Sequence, residues 1–128
     1  MVKQLLTISM LGNAALFVFG AVQHAGLVIG PFHEPHIVPA AIVESICALA
    51  LVIGAVFVLN GSPKSWLAAL IGNLVPIAGV AIGMVALAAG RGPRTASNDL
   101  YHRIMLTLAI ASLVILVLPA GRAALKRN

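Results

Sequence analysis

The sequence predicts an all-α integral membrane protein, a four-helix up-down-up-down bundle forming one transmembrane domain over residues 1–128. Two observations predict it. Of 128 residues, 61% are hydrophobic and 9% charged, and the mean hydropathy is +1.08, whereas a soluble domain carries about 25% charged residues. A chain this short cannot hide so much apolar surface in one core, because small domains leave much of their area exposed. The second observation is length: four apolar stretches each approach or exceed the roughly 20 residues that cross about 30 Å of hydrocarbon as a helix. Membrane-barrel strands would be nearer 9–11 residues and would alternate in polarity.

The first span runs from about 5 to 29 and the second from about 37 to 59. The third covers about 66 to 89 and the fourth about 100 to 118. Gly30-Pro31 with Pro35 is expected to end the first span, since proline cannot continue a helix and restricts its predecessor. Asn60-Gly61-Ser62-Pro63 is a turn sequence. Gly90-Arg91-Gly92-Pro93-Arg94 ends the third span, and Ser97 or Asn98 is positioned to cap the fourth. Connections this short make neighbouring helices antiparallel. Lys3 resembles the charged start of a secretory signal, but the apolar run after it is too long, so the first span reads as a retained helix.

The formal net charge is +5, yet the basic residues lie at the ends of apolar runs and form no patch among aromatics. Nucleic acid is therefore not the expected partner, and the charges act as orientation signals. One side holds Lys3, Lys64, Arg122, Lys126 and Arg127; the other holds Arg91, Arg94 and Arg103. The bias puts both termini in the cytoplasm. Cys47 is the only cysteine, which excludes an internal disulfide framework.

This arrangement collects His24, His33, Glu34, His36, Glu44, Asp99, Tyr101, His102 and Arg103 at one membrane face, the non-cytoplasmic one. All the histidines and all the acids are in that set. Glu44 is the sharpest, lying about 10 Å inside the second span at 1.5 Å per residue. A charge there must be neutralised, paired or wetted. His24 has the same difficulty, while His102 and Arg103 in the first turn of the fourth span can supply counter-charge. Glu44, His24, His102, Arg103 and Tyr101 are thus a candidate ligand or proton site, and the alternative is an interhelical hydrogen-bonded group that fixes packing. No catalytic constellation and no phosphate-binding glycine loop is present.

Metal and haem are weighed on the histidines. His33 and His36 are imidazoles three apart, a type of ligand suited to zinc or copper, though Pro35 interrupts regular geometry and a solvated loop serves equally. His24 and His102 are the candidates of suitable depth for axial haem ligation. Neither cofactor is part of the main expectation.

Small and amide residues point to helix packing. Asn13, Gly20 and His24 lie on one face of the first helix, either as a bundle-facing stripe or as a lined pathway. The third span carries Gly72, Asn73, Pro76, Gly79 and Gly83; the Gly79-x-x-x-Gly83 pair suits close backbone approach within the bundle or a homo-oligomer face. Trp66 beside Lys64 reads as an interface anchor. Gly12-Asn13 and Gly72-Asn73, each followed eighteen residues later by Gly30 or Gly90, hint at a repeated helix pair, although apolar helices also share glycines by chance.

Pro39-Ala40-Ala41-Ile42-Val43-Glu44, followed by Ala48-Leu49-Ala50-Leu51-Val52-Ile53-Gly54, resembles the second helix of DoxX-like proteins, small four-helix bacterial membrane proteins. The resemblance covers about twenty residues. It implies the four-helix fold, a bacterial inner (plasma) membrane setting, and an accessory role of the kind seen in quinone- and thiol-linked redox complexes. The segment from Gly92 to Arg103 is similar to a further group of bacterial membrane proteins and brings no activity with it. The leading expectation is a non-enzymatic accessory or binding subunit, partnered by the lipid bilayer and by copies of itself or a larger membrane complex. The rivals are a small proton-coupled transporter using Glu44 and a membrane redox protein with haem or metal on His24 and His102.

Overall fold

The computed structural model describes residues 1–31 and 34–126. Four long helices carry the fold, α1 (Val2–His24), α2 (Val38–Leu59), α3 (Ser65–Ala88) and α4 (Ala96–Val117), followed by a short α5 (Pro119–Lys126). Each of the four is long and apolar enough to cross a membrane. They pack in a ring: α1 on α2, α2 on α3, α3 on α4, and α4 back on α1. Side-chain bonds fix α1 and α4 as antiparallel, with Tyr101 donating to the Leu16 carbonyl, Asn13 to the Met105 carbonyl at 3.2 Å, and Ser9 meeting Ser112 at 2.6 Å.

Three helices end by the same device. The residue after the C-cap is a glycine with positive φ, and two backbone bonds close back onto the last turn. At α1 this glycine is Gly26 (φ +98°), with Gly26 N–H donating to Gln23 and Leu27 N–H to Val22. Gly61 and Gly90 do the same for α2 and α3. The first span therefore stops at His24, five residues short of the expected end. The apolar run 27–29 continues the composition of a helix after the backbone has left it. The eighteen-residue spacing from Gly12 to Gly30 consequently does not mark a helix end, as the spacing from Gly72 to Gly90 does.

The fourth helix begins at Ala96, earlier than expected, and its cap is Thr95 rather than Ser97 or Asn98: the Thr95 hydroxyl accepts the Asn98 N–H at 3.0 Å. Leu118 is extended (ψ 149°) ahead of Pro119, the conformation a residue before proline favours, and this turns the chain into α5. Buried Leu125 joins α5 to the core formed by Leu6, Met10, Phe17, Leu51, Met105 and Leu116. Trp66 holds the same corner, donating from Nε1 to the Leu116 carbonyl at 3.3 Å while the Arg122 guanidinium stacks 5.6 Å from its ring centre.

Outside the core, large side chains such as Ile46, Leu49, Ile82 and Val85 are exposed around the bundle. For a soluble protein that would be an aggregation surface; against hydrocarbon it carries no cost.

Candidate functional site

The stripe Asn13, Gly20 and His24 faces the bundle interior, as the burial of all three shows. Gly20 is required there. A methyl group at that position would meet the Tyr101 hydroxyl and stand 2.6 Å from Glu44 Oε1, so the absent side chain is what lets α2 and α4 place their polar groups beside α1. Glu44 lies six residues into α2, about 9 Å along its axis.

The His24 ring is fixed by its own helix end. His24 is the last residue of α1, its carbonyl accepts the Ile37 N–H at 3.0 Å, and its Nδ1 is 3.0 Å from the Pro35 carbonyl. A carbonyl only accepts, so Nδ1 carries the proton and, in a neutral ring, Nε2 offers a lone pair. Nε2 stands 3.9 Å from Glu44 Oε1. His102 repeats the arrangement on α4: Nδ1 is 2.9 Å from the Asn98 carbonyl, leaving its Nε2 free of backbone.

Glu44, His24, His102 and Asn98 line one cavity of about 210 Å³. Its apolar wall includes Phe17 and Val80. Glu44 is 95% buried by its 5% relative exposure, and neither carboxylate oxygen has a hydrogen-bond partner within the protein. The side-chain oxygen of Asn98, also buried, has none either. Buried polar atoms in folded proteins are nearly all hydrogen-bonded. Among the described residues, three of the six buried side-chain oxygens without a partner thus belong to Glu44 and Asn98, two residues that line this cavity.

The glycines of α3 divide by function along the helix. Gly72 is a true close-approach residue: a Cβ there would lie 2.9 Å from the Ala50 carbonyl oxygen on α2, and Gly54 meets the Ala68 carbonyl oxygen at the same distance. The Met10 methyl sits between these glycines. Gly79 accommodates Cys47 Sγ, 2.7 Å from its would-be Cβ, but Gly83 has nothing nearer than His102 Nε2 at 3.9 Å. The helices α2 and α3 thus touch at Gly54 and Gly72 and part towards Gly83, and the cavity fills the widening seam. Of the Gly79–Gly83 pair, expected as a helix-packing motif, Gly79 packs closely against Cys47 and Val43 of α2 and Gly83 does not, and both line this cavity. Asn73 is fully buried and donates within its own helix to the Ala69 carbonyl at 2.8 Å.

A second cavity of about 210 Å³ lies on the other side of His24 and Asn98, bounded by Gly20, Gln23, Glu34 and Tyr101. Over it the two connections are clasped together. Glu34, from the α1–α2 connection, accepts from Thr95 Oγ1 at 2.8 Å and from Ser97 Oγ at 2.5 Å. Arg94 pairs with Asp99 at 2.8 Å on the exposed rim, and the Asp99 carboxylate holds the Arg94 guanidinium above its already high ordinary value.

Of the residues singled out in the sequence, His24, Glu44 and His102 share one cavity, and Tyr101 touches the space between Gly20 and Glu44. Arg103 does not join them; it is exposed and lines neither cavity. His36 is exposed beside Gly26, and His33 lies outside the described residues. Among the described residues no group of three or more His, Cys, Asp or Glu is arranged to hold a metal ion. Sequence reasoning missed Asn98 as a site residue, having read it as a helix cap, and missed Thr95, Ser97 and Glu34 as the clasp. The only advance signal was the density of hydroxyl and amide groups just before α4.

No family model matches the chain, and neither the curated proteins nor the solved structures compared with it gave a match.

Proposed function

We propose that the protein is a membrane-embedded binding protein, working as an accessory or binding subunit rather than as an enzyme, with the Glu44–His24–His102 cavity as its site. The observation that carries this reading is the Glu44 carboxyl: it is buried, its residue lines a cavity, and the protein supplies no partner for either oxygen. Burying an unpaired ionisable group is costly, and such groups inside membrane spans are functional candidates. An occupant with matching donors removes that cost.

The cavity wall carries no nucleophile poised beside a base, since Cys47 Sγ turns to the Val75 carbonyl and packs on Gly79. That favours binding over covalent chemistry. In this reading the protein resides in a bacterial inner membrane with both termini cytoplasmic, and the site opens in the non-cytoplasmic half. The lysine and arginine bias supports that orientation.

The test is modification of the protein in lipid nanodiscs by the membrane-soluble reagent dicyclohexylcarbodiimide, which reacts with a protonated carboxyl it can reach. Peptide mass analysis is expected to find the adduct on Glu44 in the native protein and much less of it in Gly83→Leu, where a side chain fills the cavity. Glu44 unmodified under conditions that label a control membrane carboxyl, with Gly83→Leu behaving as native, would overturn the reading.

A further inference from the structure

Resting on the binding reading above, we propose that the cavity takes a primary ammonium group carried on an apolar body, admitted sideways from the bilayer through the seam between α2 and α3. The polarity of the site selects the head group. With both Nδ1 atoms committed to backbone carbonyls, His24 and His102 present their Nε2 lone pairs as acceptors. The unpartnered oxygens of Glu44 and of Asn98 are acceptors as well. An acceptor-rich set with one carboxylate complements a group that is all donor and singly positive. A primary ammonium has three N–H donors and that charge, and charge-assisted hydrogen bonds are the strong ones. An alcohol would satisfy one acceptor and leave the carboxylate uncompensated, and an anion would meet it with like charge.

The shape of the cavity selects the rest of the molecule. Its wall is largely apolar and continues to Pro39, Val43 and Ile82, whose side chains are exposed on the outer surface of α2 and α3. In the membrane that surface meets acyl chains, so the way in is lateral. The backbone contact at Gly54 and Gly72, with Met10 between them, closes the seam at its other end. Arg91 also borders the cavity, but it is exposed beyond the end of α3, where water and head groups screen its charge.

The experiment compares three photoreactive probes with one twelve-carbon tail bearing a diazirine: a primary amine, a trimethylammonium and an alcohol. They are added to the protein in phosphatidylcholine nanodiscs, and cross-linked residues are mapped by mass spectrometry. The amine is expected to label the seam near Val43 and Ile82 saturably, at a concentration at least tenfold lower than either other head group. Glu44→Gln should weaken this at least tenfold, and Gly83→Leu should abolish it. Should Glu44→Gln fail to fold, competition of the labelling by unlabelled dodecylamine, with dodecanol without effect, gives the same answer in the native chain. Equal labelling by amine and alcohol, or amine labelling indifferent to Glu44→Gln, overturns the ammonium proposal while carbodiimide reaction at Glu44 would still uphold the site. Loss of both signals overturns both.

Discussion

His24 Nε2 stands 3.9 Å from Glu44 Oε1, beyond hydrogen-bonding distance and close enough for one intervening atom to bridge them. The separation is set by backbone: His24 is held at the end of α1 by Pro35 and Ile37, and Glu44 is carried a turn and a half into α2. A bridging occupant and a direct electrostatic contact between α1 and α2 place different demands on Glu44.

This distinction is measurable in folding stability. Glu44→Gln keeps the volume and removes the ionisable group, and no protein hydrogen bond is lost with it. Its thermal unfolding in detergent should match the native protein or exceed it. A loss of more than about 1 kcal/mol, the scale of a net intramolecular hydrogen bond, would mean that the carboxyl holds the bundle together.

The α3 glycines should respond oppositely to the same small change. Gly72→Ala puts a methyl group against the Ala50 carbonyl oxygen, which cannot swing away, so the helices must separate; a cost of about 1–3 kcal/mol is expected from overpacking of this kind. Gly83→Ala meets only His102 Nε2 at an ordinary van der Waals distance and should unfold as the native protein does. Comparable destabilisation of both would contradict the divergence of α2 and α3.

The clasp over the second cavity rests on Thr95, which caps α4 and bonds Glu34 with one hydroxyl. Thr95→Val removes both functions in a nearly isosteric side chain. A cost of about 1–2 kcal/mol, the upper range for a lost N-cap, is expected, together with faster amide hydrogen exchange at Asn98. Arg94→Ala, by contrast, breaks only an exposed ion pair and should leave melting unchanged.

Trp66 is the sole tryptophan and so reports on the α4–α5 corner. Leu125→Asp makes the buried anchor of α5 charged, which should free the short helix and the Arg122 stacked on the indole. Tryptophan emission is expected to move to longer wavelength and become more accessible to acrylamide. An unchanged spectrum would show that α5 does not depend on that anchor.

Much of this molecule is written locally. The four spans follow from runs of apolar residues, and Gly61 and Gly90 signal their helix ends plainly because polar residues and proline follow. Gly26 gives the same signal but is followed by Leu27, Val28 and Ile29, so hydropathy carries the reading past the true end. The glycine roles were not legible. Gly72 and Gly83 have similar sequence surroundings, and only the course of α2 makes one a contact and the other an opening.

By itself, then, the sequence determined the membrane class, the number of spans and the gathering of histidines and acids at one end, since each depends on composition and on distance along a chain. Which of those groups meet was decided by tertiary structure. Rotation of α4 about its axis turns His102 and Asn98 inward and Arg103 outward, and the absence of a side chain at Gly20 admits Tyr101 and Glu44 to the same space. Neighbours in sequence part and distant residues converge because a helix distributes successive side chains around its axis, and only packing against the other helices chooses which direction is inside.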